Sequence, residues 1–421
     1  MKRLILSLIL IVTMVLTGCG GGSKASTSTG SDEKGGTETL RIGFNDSLTG
    51  AGAVYGLPQQ NAIRLYFKQL NEAGGFEVGD KTYKVELVEL DNKSDPTEAV
   101  SATRKLIDKE GVNIILGWAS SGATKAVSAV IGVEYPDVFM LVGTAGEESI
   151  TADGYANVAR IRPPGGYTGD AAGRFVAKEG VKNLAIIGQL KDALYEQYTT
   201  HFVEEFEKAG GTIAKTETFA LGDRDMYSQI SSALAAKPEA IFVPGYVEQA
   251  AFVYRQLREN GYDGKIYGFT GGSEAQFLEV ATPEQMENVY DLRPVEGTIE
   301  ALGDNAKAYA EAYEAEYKEP ATPNAIYAWD SAIALVEGMQ AAGTVDDTKA
   351  IIKALKDMPT PESVALKYVD VDGKWFDPNG QTYTSNIALL FKDGKWTYVE
   401  DLPADASVYS KYMTSLAEAN K

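Results

Sequence analysis

The chain has 421 residues, and its 39 Lys and Arg against 59 Asp and Glu give a formal net charge of −20. This length predicts two or three domains, and so acidic a chain argues against nucleic-acid binding, which needs clustered Lys and Arg to contact phosphates. With one cysteine and one histidine, the chain cannot build a disulfide framework, a Cys/His zinc site or an iron–sulfur cluster, and we expect neither metal nor cofactor.

The N-terminus has the features of an export signal. Met1-Lys2-Arg3 is basic, and the apolar run from Leu4 to Leu16 is too short to span a membrane. The run ends in Leu16-Thr17-Gly18-Cys19, which resembles the lipobox of bacterial lipoproteins. That resemblance implies a signal peptide over residues 1–18 and a lipid anchor at Cys19; the alternative is a plain signal peptide with a chance cysteine.

Residues 19–39 are rich in Gly, Ser and Thr and are predicted to form a flexible tether between the anchor and the folded part. From residue 40 onward, β-rich runs alternate with helical stretches. A first series predicts strands at 40–45, 84–90, 113–117 and 138–142, and helices at 59–71, 95–109 and 123–133. A second series predicts strands at 184–188, 212–219, 240–243 and 265–269, and helices at 196–209, 225–236 and 247–260. Such alternation predicts parallel sheets with helices on both faces.

Two extended segments, 158–166 and 288–294, contain or end in proline and are predicted to carry the chain between lobes. Helices are then predicted at 305–317, 324–341 and 348–356, and strands at 368–372, 386–391 and 396–399, with hairpin turns at Asp372-Gly373 and Asp393-Gly394. The prediction is an α/β protein of two lobes. The N-terminal lobe takes residues 40–160 and 292–370, and the C-terminal lobe takes residues 161–291 and 371–421.

Three loops at the carboxyl ends of the first series of strands have the same character. They begin at Asp46, Trp118 and Gly143, and they are rich in small residues, hydroxyl groups and free backbone N–H groups. In open parallel sheets ligands bind at this edge, and such donors suit a small anion such as a carboxylate. The alternative for each loop is a tight turn selected for steric reasons alone.

With these loops identified, the chain resembles the periplasmic binding proteins for branched-chain amino acids, the receptors of ABC importers. The resemblance covers about residues 40–399 and depends on motifs in order: IGFNDSLTGAGAVYG, NEAGG, DNKSDPTEAV, GWASSGAT and FDPNGQT. It implies the type I periplasmic-binding-protein fold, in which two doubly wound parallel-sheet lobes are joined by a multi-strand hinge. It also implies a ligand captured by closure of the lobes.

The resemblance implies a set of ligand-binding residues. Contacts with the ligand carboxylate would come from Ser120 or Ser121 and from Thr144, Ala145 and Gly146. The aromatic walls of the pocket would come from three tyrosines: Tyr55, Tyr195 and Tyr246. Trp118 either narrows the pocket or belongs to the core.

Two positions depart from the family pattern. Gly146 stands where a Thr or Ser is common, and Thr270 stands where amino-acid binders usually carry the acidic residue that pairs with the ligand ammonium. A buried ammonium without a carboxylate is costly. Either Glu274, Glu147 or Asp192 replaces that residue, or the ligand has no ammonium group.

The sequence therefore predicts a lipid-anchored, extracytoplasmic receptor that binds a small carboxylate and delivers it to ABC permease subunits in the membrane. A branched-chain or other hydrophobic amino acid is the first candidate ligand, and an aromatic carboxylate or an amide-type solute is the alternative. A sensory receptor of the same fold is a second possibility. Hydrolysis is disfavoured because His201, the only histidine, lies in a predicted helix without a catalytic serine motif; we expect no enzymatic activity.

Overall fold

The computed structural model of the protein describes residues 36–50, 52–189, 191–294, 302–322 and 324–419. The predicted signal peptide of residues 1–18, Cys19 and most of the predicted tether lie outside these described residues. Within the described ranges, no helix is both long enough and apolar enough to cross a membrane.

The first lobe is built on a six-stranded sheet. Its strands are β1 (Thr37–Asp46), β2 (Phe76–Val78), β3 (Lys81–Asp91), β4 (Ile114–Gly117), β5 (Phe139–Val142) and β6 (Val158–Arg160). Their order is β2-β3-β1-β4-β5-β6, and only the β2–β3 pair is antiparallel. Helices α1 (Ala53–Glu72), α2 (Pro96–Asp108), α3 (Ser121–Glu134) and α4 (Ser149–Ala152) connect the strands. Ile42, Phe44 and Leu116 are fully buried in the cluster that includes residues of α1.

The second lobe is built on a seven-stranded sheet. Its strands are β7 (Asn183–Gly188), β8 (Thr212–Thr218), β9 (Ala240–Pro244), β10 (Lys265–Phe269), β11 (Val289–Pro294), β12 (Asn386–Lys392) and β13 (Lys395–Leu402). The order is β13-β12-β11-β10-β9-β7-β8, with β7 to β11 parallel and the last two strands antiparallel. Its helices are α5 (Gly165–Lys178), α6 (Ala193–Lys208), α7 (Tyr227–Ala235), α8 (Val247–Glu259), α9 (Glu274–Leu278) and α10 (Pro283–Met286). The prediction of two α/β lobes with mainly parallel sheets is confirmed.

The chain crosses between the lobes more than once. After β11 it returns to the first lobe as α11 (Asp304–Tyr317), α12 (Ala325–Ala342) and α13 (Thr348–Asp357), of which α11 and α12 pack against α1. Tyr317 Oη donates to the carbonyl of Asn61 at 2.9 Å. The chain then re-enters the second lobe for β12 and β13 and ends in helix α14 (Ala406–Ala419), which packs against α4. The first and last crossings lie side by side, since Thr382 N–H donates to the Arg160 carbonyl at 3.2 Å. The exact boundaries between the lobes, as given from the sequence, stay a prediction.

The predicted strand at 368–372 is wrong. Only isolated bridges form there, Tyr368 with Thr384 and Val371 with Lys374. The Asp372-Gly373 turn does form, with φ angles of 53° and 74°. Within the predicted strand Tyr368, Val369 and Asp370 are all partly buried, so the side chains do not alternate between a buried and an exposed face as a strand at a sheet surface would. The second predicted turn, Asp393-Gly394, joins β12 to β13 as expected.

Helix α5 was not predicted, because its glycines weaken the helical pattern. Those glycines allow very close packing on α6: a Cβ atom at Gly169 would lie 2.5 Å from the Tyr198 carbonyl oxygen, and one at Gly173 would lie 2.3 Å from that of Phe202. Helix α14 was also not predicted.

Candidate functional site

The two sheets direct the carboxyl ends of their parallel strands towards a shared interface. Loops after β1, β4 and β5 approach it from the first lobe, and loops after β7, β9 and β10 approach it from the second. The rings of Tyr55 and Tyr246 lie 5.1 Å apart across it, and Val247 N–H donates to Tyr55 Oη at 3.2 Å. Asn324 Nδ2 donates to the Gly271 carbonyl at 3.4 Å. The lobes are therefore in direct contact at the site predicted from the sequence.

The loop after β4, which contains Ser120 and Ser121, is hydrogen-bonded to the loop that follows β5. Ser120 is the N-cap of α3, where its hydroxyl accepts from Ala123 N–H at 3.5 Å. Ser121 is almost completely buried, and its Oγ accepts from Gly146 N–H at 3.2 Å. Because Ser121 accepts in that bond, its hydroxyl proton stays available to a ligand oxygen.

Two backbone donors of the loop that follows β5 are already in use. Ala145 N–H donates to the Trp118 carbonyl, and Gly146 N–H donates to Ser121. What this loop offers a ligand is the hydroxyl of Thr144, which has no hydrogen-bond partner among the described residues. That Thr144 supplies to the ligand the hydroxyl lacking at Gly146 stays a prediction.

Arg162 is a site residue that the sequence analysis missed. Its side chain is 7% exposed, its Nη1 donates to the Thr144 carbonyl at 3.1 Å, and its guanidinium carbon lies 5.7 Å from the centre of the Phe269 ring. Its Nε is buried without a partner among the described residues. The signal available in the sequence was an arginine just after a short apolar strand and immediately before two prolines.

Gly146 is explained by its neighbours. A Cβ atom there would lie 2.8 Å from Leu194 Cδ1 and 3.0 Å from Arg162 Nη1. A Thr or Ser at this position would therefore compete with the Arg162 side chain for space. The glycine, which departs from the family pattern, thus leaves room for the arginine in its present position.

The second lobe supplies an aromatic wall. Tyr195 is 3% exposed and packs edge-on against Tyr246, with ring centres 5.1 Å apart, and against Phe269 at 5.9 Å. Tyr246 Oη donates to Asp192 Oδ2 at 3.2 Å. Burial raises the pKa of both Tyr195 and Tyr246, so their hydroxyl groups stay protonated and can donate.

Thr270 is hydrogen-bonded to Asp291 of the neighbouring strand β11. Its backbone N–H and its hydroxyl donate to the two carboxylate oxygens of Asp291, at 3.1 and 3.3 Å. Asp291 also pairs with Arg293 at 3.2 Å, and both side chains are 1% exposed. Burial raises the pKa of Asp291, while Arg293 and the bonds from Thr270 oppose that rise. An acidic residue thus lies beside the site on β11, where the sequence analysis did not place one, but its oxygens are already paired.

The three acidic residues proposed to replace a missing partner differ in position. Glu274 accepts from Trp396 N–H at 2.6 Å, and Glu147 accepts from the Ser149 hydroxyl. Asp192 caps α6 by accepting from Leu194 N–H at 3.0 Å. Of the three, only Asp192 contacts a tyrosine of the interface.

Trp118 is a fully buried residue of the first lobe and packs with Ala123 and Val127. Its φ of 67° is unusual for a non-glycine residue, and Asp46 supports the conformation. Asp46 Oδ1 accepts from Ser47 N–H at 2.7 Å and from Ala119 N–H at 2.8 Å. Burial raises the pKa of Asp46 to about 7, although these bonds oppose the rise. This packing favours the core role for Trp118.

Comparison with known proteins gives one family. The family described as Periplasmic binding protein matches residues 39–390. The leucine-, isoleucine-, valine-, threonine- and alanine-binding protein of Pseudomonas aeruginosa is 25% identical over 76% of this chain and 82% of its own. The leucine-specific-binding protein of Salmonella typhimurium is 24% identical over 76% of this chain and 83% of its own.

Solved structures agree with this match. A branched-chain amino acid transporter substrate-binding protein from Streptococcus pneumoniae, in complex with isoleucine, is 26% identical with a TM-score of 0.73, covering 86% of this chain and 99% of that one. A solute-binding protein of an ABC transporter from R. palustris, in complex with benzoate, is 22% identical with a TM-score of 0.75, covering 88% of this chain and 99% of that one. The second likeness concerns the fold alone.

Proposed function

The chain belongs to the periplasmic binding protein family, and from that premise we propose that it is the extracytoplasmic receptor of an ABC importer, capturing a small carboxylate between its two lobes. The observation that carries the proposal is the meeting of hydroxyl donors and a buried arginine with tyrosine rings from both lobes at the interface. Ser121, Thr144 and Arg162 supply the donors. Tyr55, Tyr195 and Tyr246 supply rigid apolar area with few rotamers to restrict on binding.

Closure of a hinge would place the ligand between these two sets of groups and remove it from water. The interlobe contacts support this proposal, because the bond from Val247 to Tyr55 forms only when the two lobes meet. The closed shape would be the form that permease subunits recognise. The relatives named above are binding proteins, which favours a role without catalysis.

Attachment to the membrane is part of the same proposal. A diacylglycerol on Cys19, with the tether of residues 19–39, would hold the receptor near its permease on the outer side of the membrane. A sensory receptor of the same fold is the alternative; genes for permease and ATPase subunits beside this one would favour transport.

The ligand of the proposed receptor belongs to one of two classes that share a carboxylate. The sequence-based candidate is a branched-chain or other hydrophobic amino acid, in line with the names of the relatives. The alternative is an aromatic carboxylate, of the kind bound by the R. palustris protein. Calorimetric titration of the purified protein with both classes is the direct test. If neither class binds, nor any small solute in a broad thermal-shift panel, the receptor function is wrong.

A further inference from the structure

Arg162 is a buried cation whose donors are largely unused. Among the described residues the one hydrogen bond of its side chain goes to the carbonyl of Thr144, and its Nε has no partner. It forms no ion pair with any carboxylate that the structure describes. A guanidinium withdrawn from water in this way is costly unless an anion pairs with it.

The two other buried arginines of this region, Arg160 and Arg293, have more partners within the protein than Arg162 has. Arg160 donates to the Gln381 side chain, to the carbonyls of Ala145 and Glu147 and to the Thr151 hydroxyl. Arg293 pairs with Asp291 and donates to the Gly272 carbonyl at 2.9 Å, although its Nε, like that of Arg162, has no partner among the described residues. The difference is therefore the ion pair: Asp291 neutralises Arg293, whereas no carboxylate among the described residues pairs with Arg162.

The position of Arg162 brings it near the aromatic wall. Burial raises the pKa of Tyr55, Tyr195 and Tyr246, and the charge of Arg162 opposes that rise in all three. The guanidinium also lies over the Phe269 ring. A carboxylate bound to Arg162 would therefore have its apolar remainder among aromatic rings.

The acidic side chains near the interface, in contrast, already have partners within the protein. Asp291 accepts from Thr270 and pairs with Arg293. Asp192 accepts from Leu194 N–H through one oxygen and from the Tyr246 hydroxyl through the other. A ligand ammonium would share these oxygens with donors that the protein already supplies, whereas a ligand carboxylate would satisfy a group that now lacks a partner.

We propose that Arg162 binds the carboxylate of the ligand, and that the preferred ligand is an apolar or aromatic monocarboxylate without an ammonium group. This inference rests on the proposed receptor function and specifies its ligand class. It also fits the presence of Gly146, since a Cβ atom there would lie 3.0 Å from Arg162 Nη1 and the guanidinium would have to shift.

Two matched ligand pairs test the inference by calorimetry. L-Leucine and 4-methylpentanoate differ only in the ammonium group, and benzoate and benzamide differ in the carboxylate charge. We expect 4-methylpentanoate, benzoate or both to bind at least tenfold more tightly than leucine, and any aromatic binding to favour benzoate over benzamide. In the Arg162→Gln variant the affinity for the bound carboxylate should fall roughly tenfold to hundredfold, because hydrogen bonds to a charged group are lost.

Two further variants separate this effect from misfolding. Arg162→Lys keeps the charge without the planar fork of donors and should bind with intermediate affinity. Arg104→Gln, which removes a surface arginine paired with Glu134, should bind as the parent does. Leucine binding more tightly than both carboxylates, or unchanged carboxylate affinity in a folded Arg162→Gln variant, would overturn the inference while leaving the receptor function intact. Absence of binding for every small solute would overturn both.

Discussion

The hydroxyl oxygen of Tyr55, in the first turn of α1, accepts a hydrogen bond from the backbone N–H of Val247, at the start of α8 in the other lobe. The Tyr55 ring also lies against Tyr246. A hydroxyl of one lobe thus satisfies one of the free N–H groups at the beginning of a helix in the other.

Replacing Tyr55 with phenylalanine removes this acceptor and keeps the ring contact. We expect ligand affinity to fall roughly fivefold, since a net hydrogen bond contributes about 1 kcal/mol. Calorimetry on Tyr55→Phe measures the change. Tyr66→Phe is the matched control, because Tyr66 lies on the same helix and packs against Trp329, away from the interface. An equal loss in both variants would contradict a specific role for the Tyr55 hydroxyl.

The two serines of the loop after β4 should have separable effects. Ser121→Ala removes a donor from the interface and should weaken carboxylate binding roughly tenfold. Ser120→Ala removes an N-cap and should lower the free energy of unfolding by about 0.5–1 kcal/mol with a smaller effect on affinity. Titration and urea unfolding of both variants distinguish these effects. The reverse pattern would show that Ser120 is the ligand-binding serine.

Restoring the residue type common in the family should be harmful at position 146. Gly146→Ser would bring a Cβ atom close to Leu194 and Arg162, and we expect destabilisation of about 1–3 kcal/mol together with weaker binding. Gly122→Ala is the control for stability, because a Cβ atom there meets no atom within 4 Å. A Gly146→Ser variant as stable as the parent would show that the Arg162 side chain moves without cost.

His201 links the lobes at a second place and makes stability dependent on pH. Its Nε2 lies 3.2 Å from Glu148 of the first lobe, and its Nδ1 lies 2.9 Å from Asp170 of the second. Burial lowers the pKa of His201, but the bonds to Asp170 and Glu148 outweigh burial and raise it to about 10.

Since this pKa lies above the usual 6.5, protonated His201 stabilises the folded state fully below pH 6.5, and that contribution is lost as the pH rises through about 10. We therefore expect His201→Gln to cost about 2 kcal/mol of unfolding free energy below pH 6.5 and less above pH 10. Urea unfolding of parent and variant at both pH values measures the difference. A cost that does not change with pH would contradict a charged histidine in the folded protein.

The alternation of strands and helices was sufficient to predict most of the fold, because it depends on local periodicity. Helix α5 was missed for a tertiary reason, namely that its glycines serve contact with α6. In the site, the loops around Ser121 and Thr144 could be predicted from their places after strands, and Tyr246 was implied by the family resemblance. Arg162 could not, because its burial depends on Gly146 and Phe269, which are distant in sequence. The pairing of Thr270 with Asp291 likewise depends on the neighbouring strand β11.

The most direct measurement is a crystal structure of the protein grown with whichever small carboxylate binds in the titrations. We predict density for the ligand between the lobes, with its carboxylate near Ser121, Thr144 and Arg162 and its apolar part against Tyr195 and Tyr246. Ligand density outside this interface, or a bound ligand whose carboxylate contacts none of those three residues, would contradict the account.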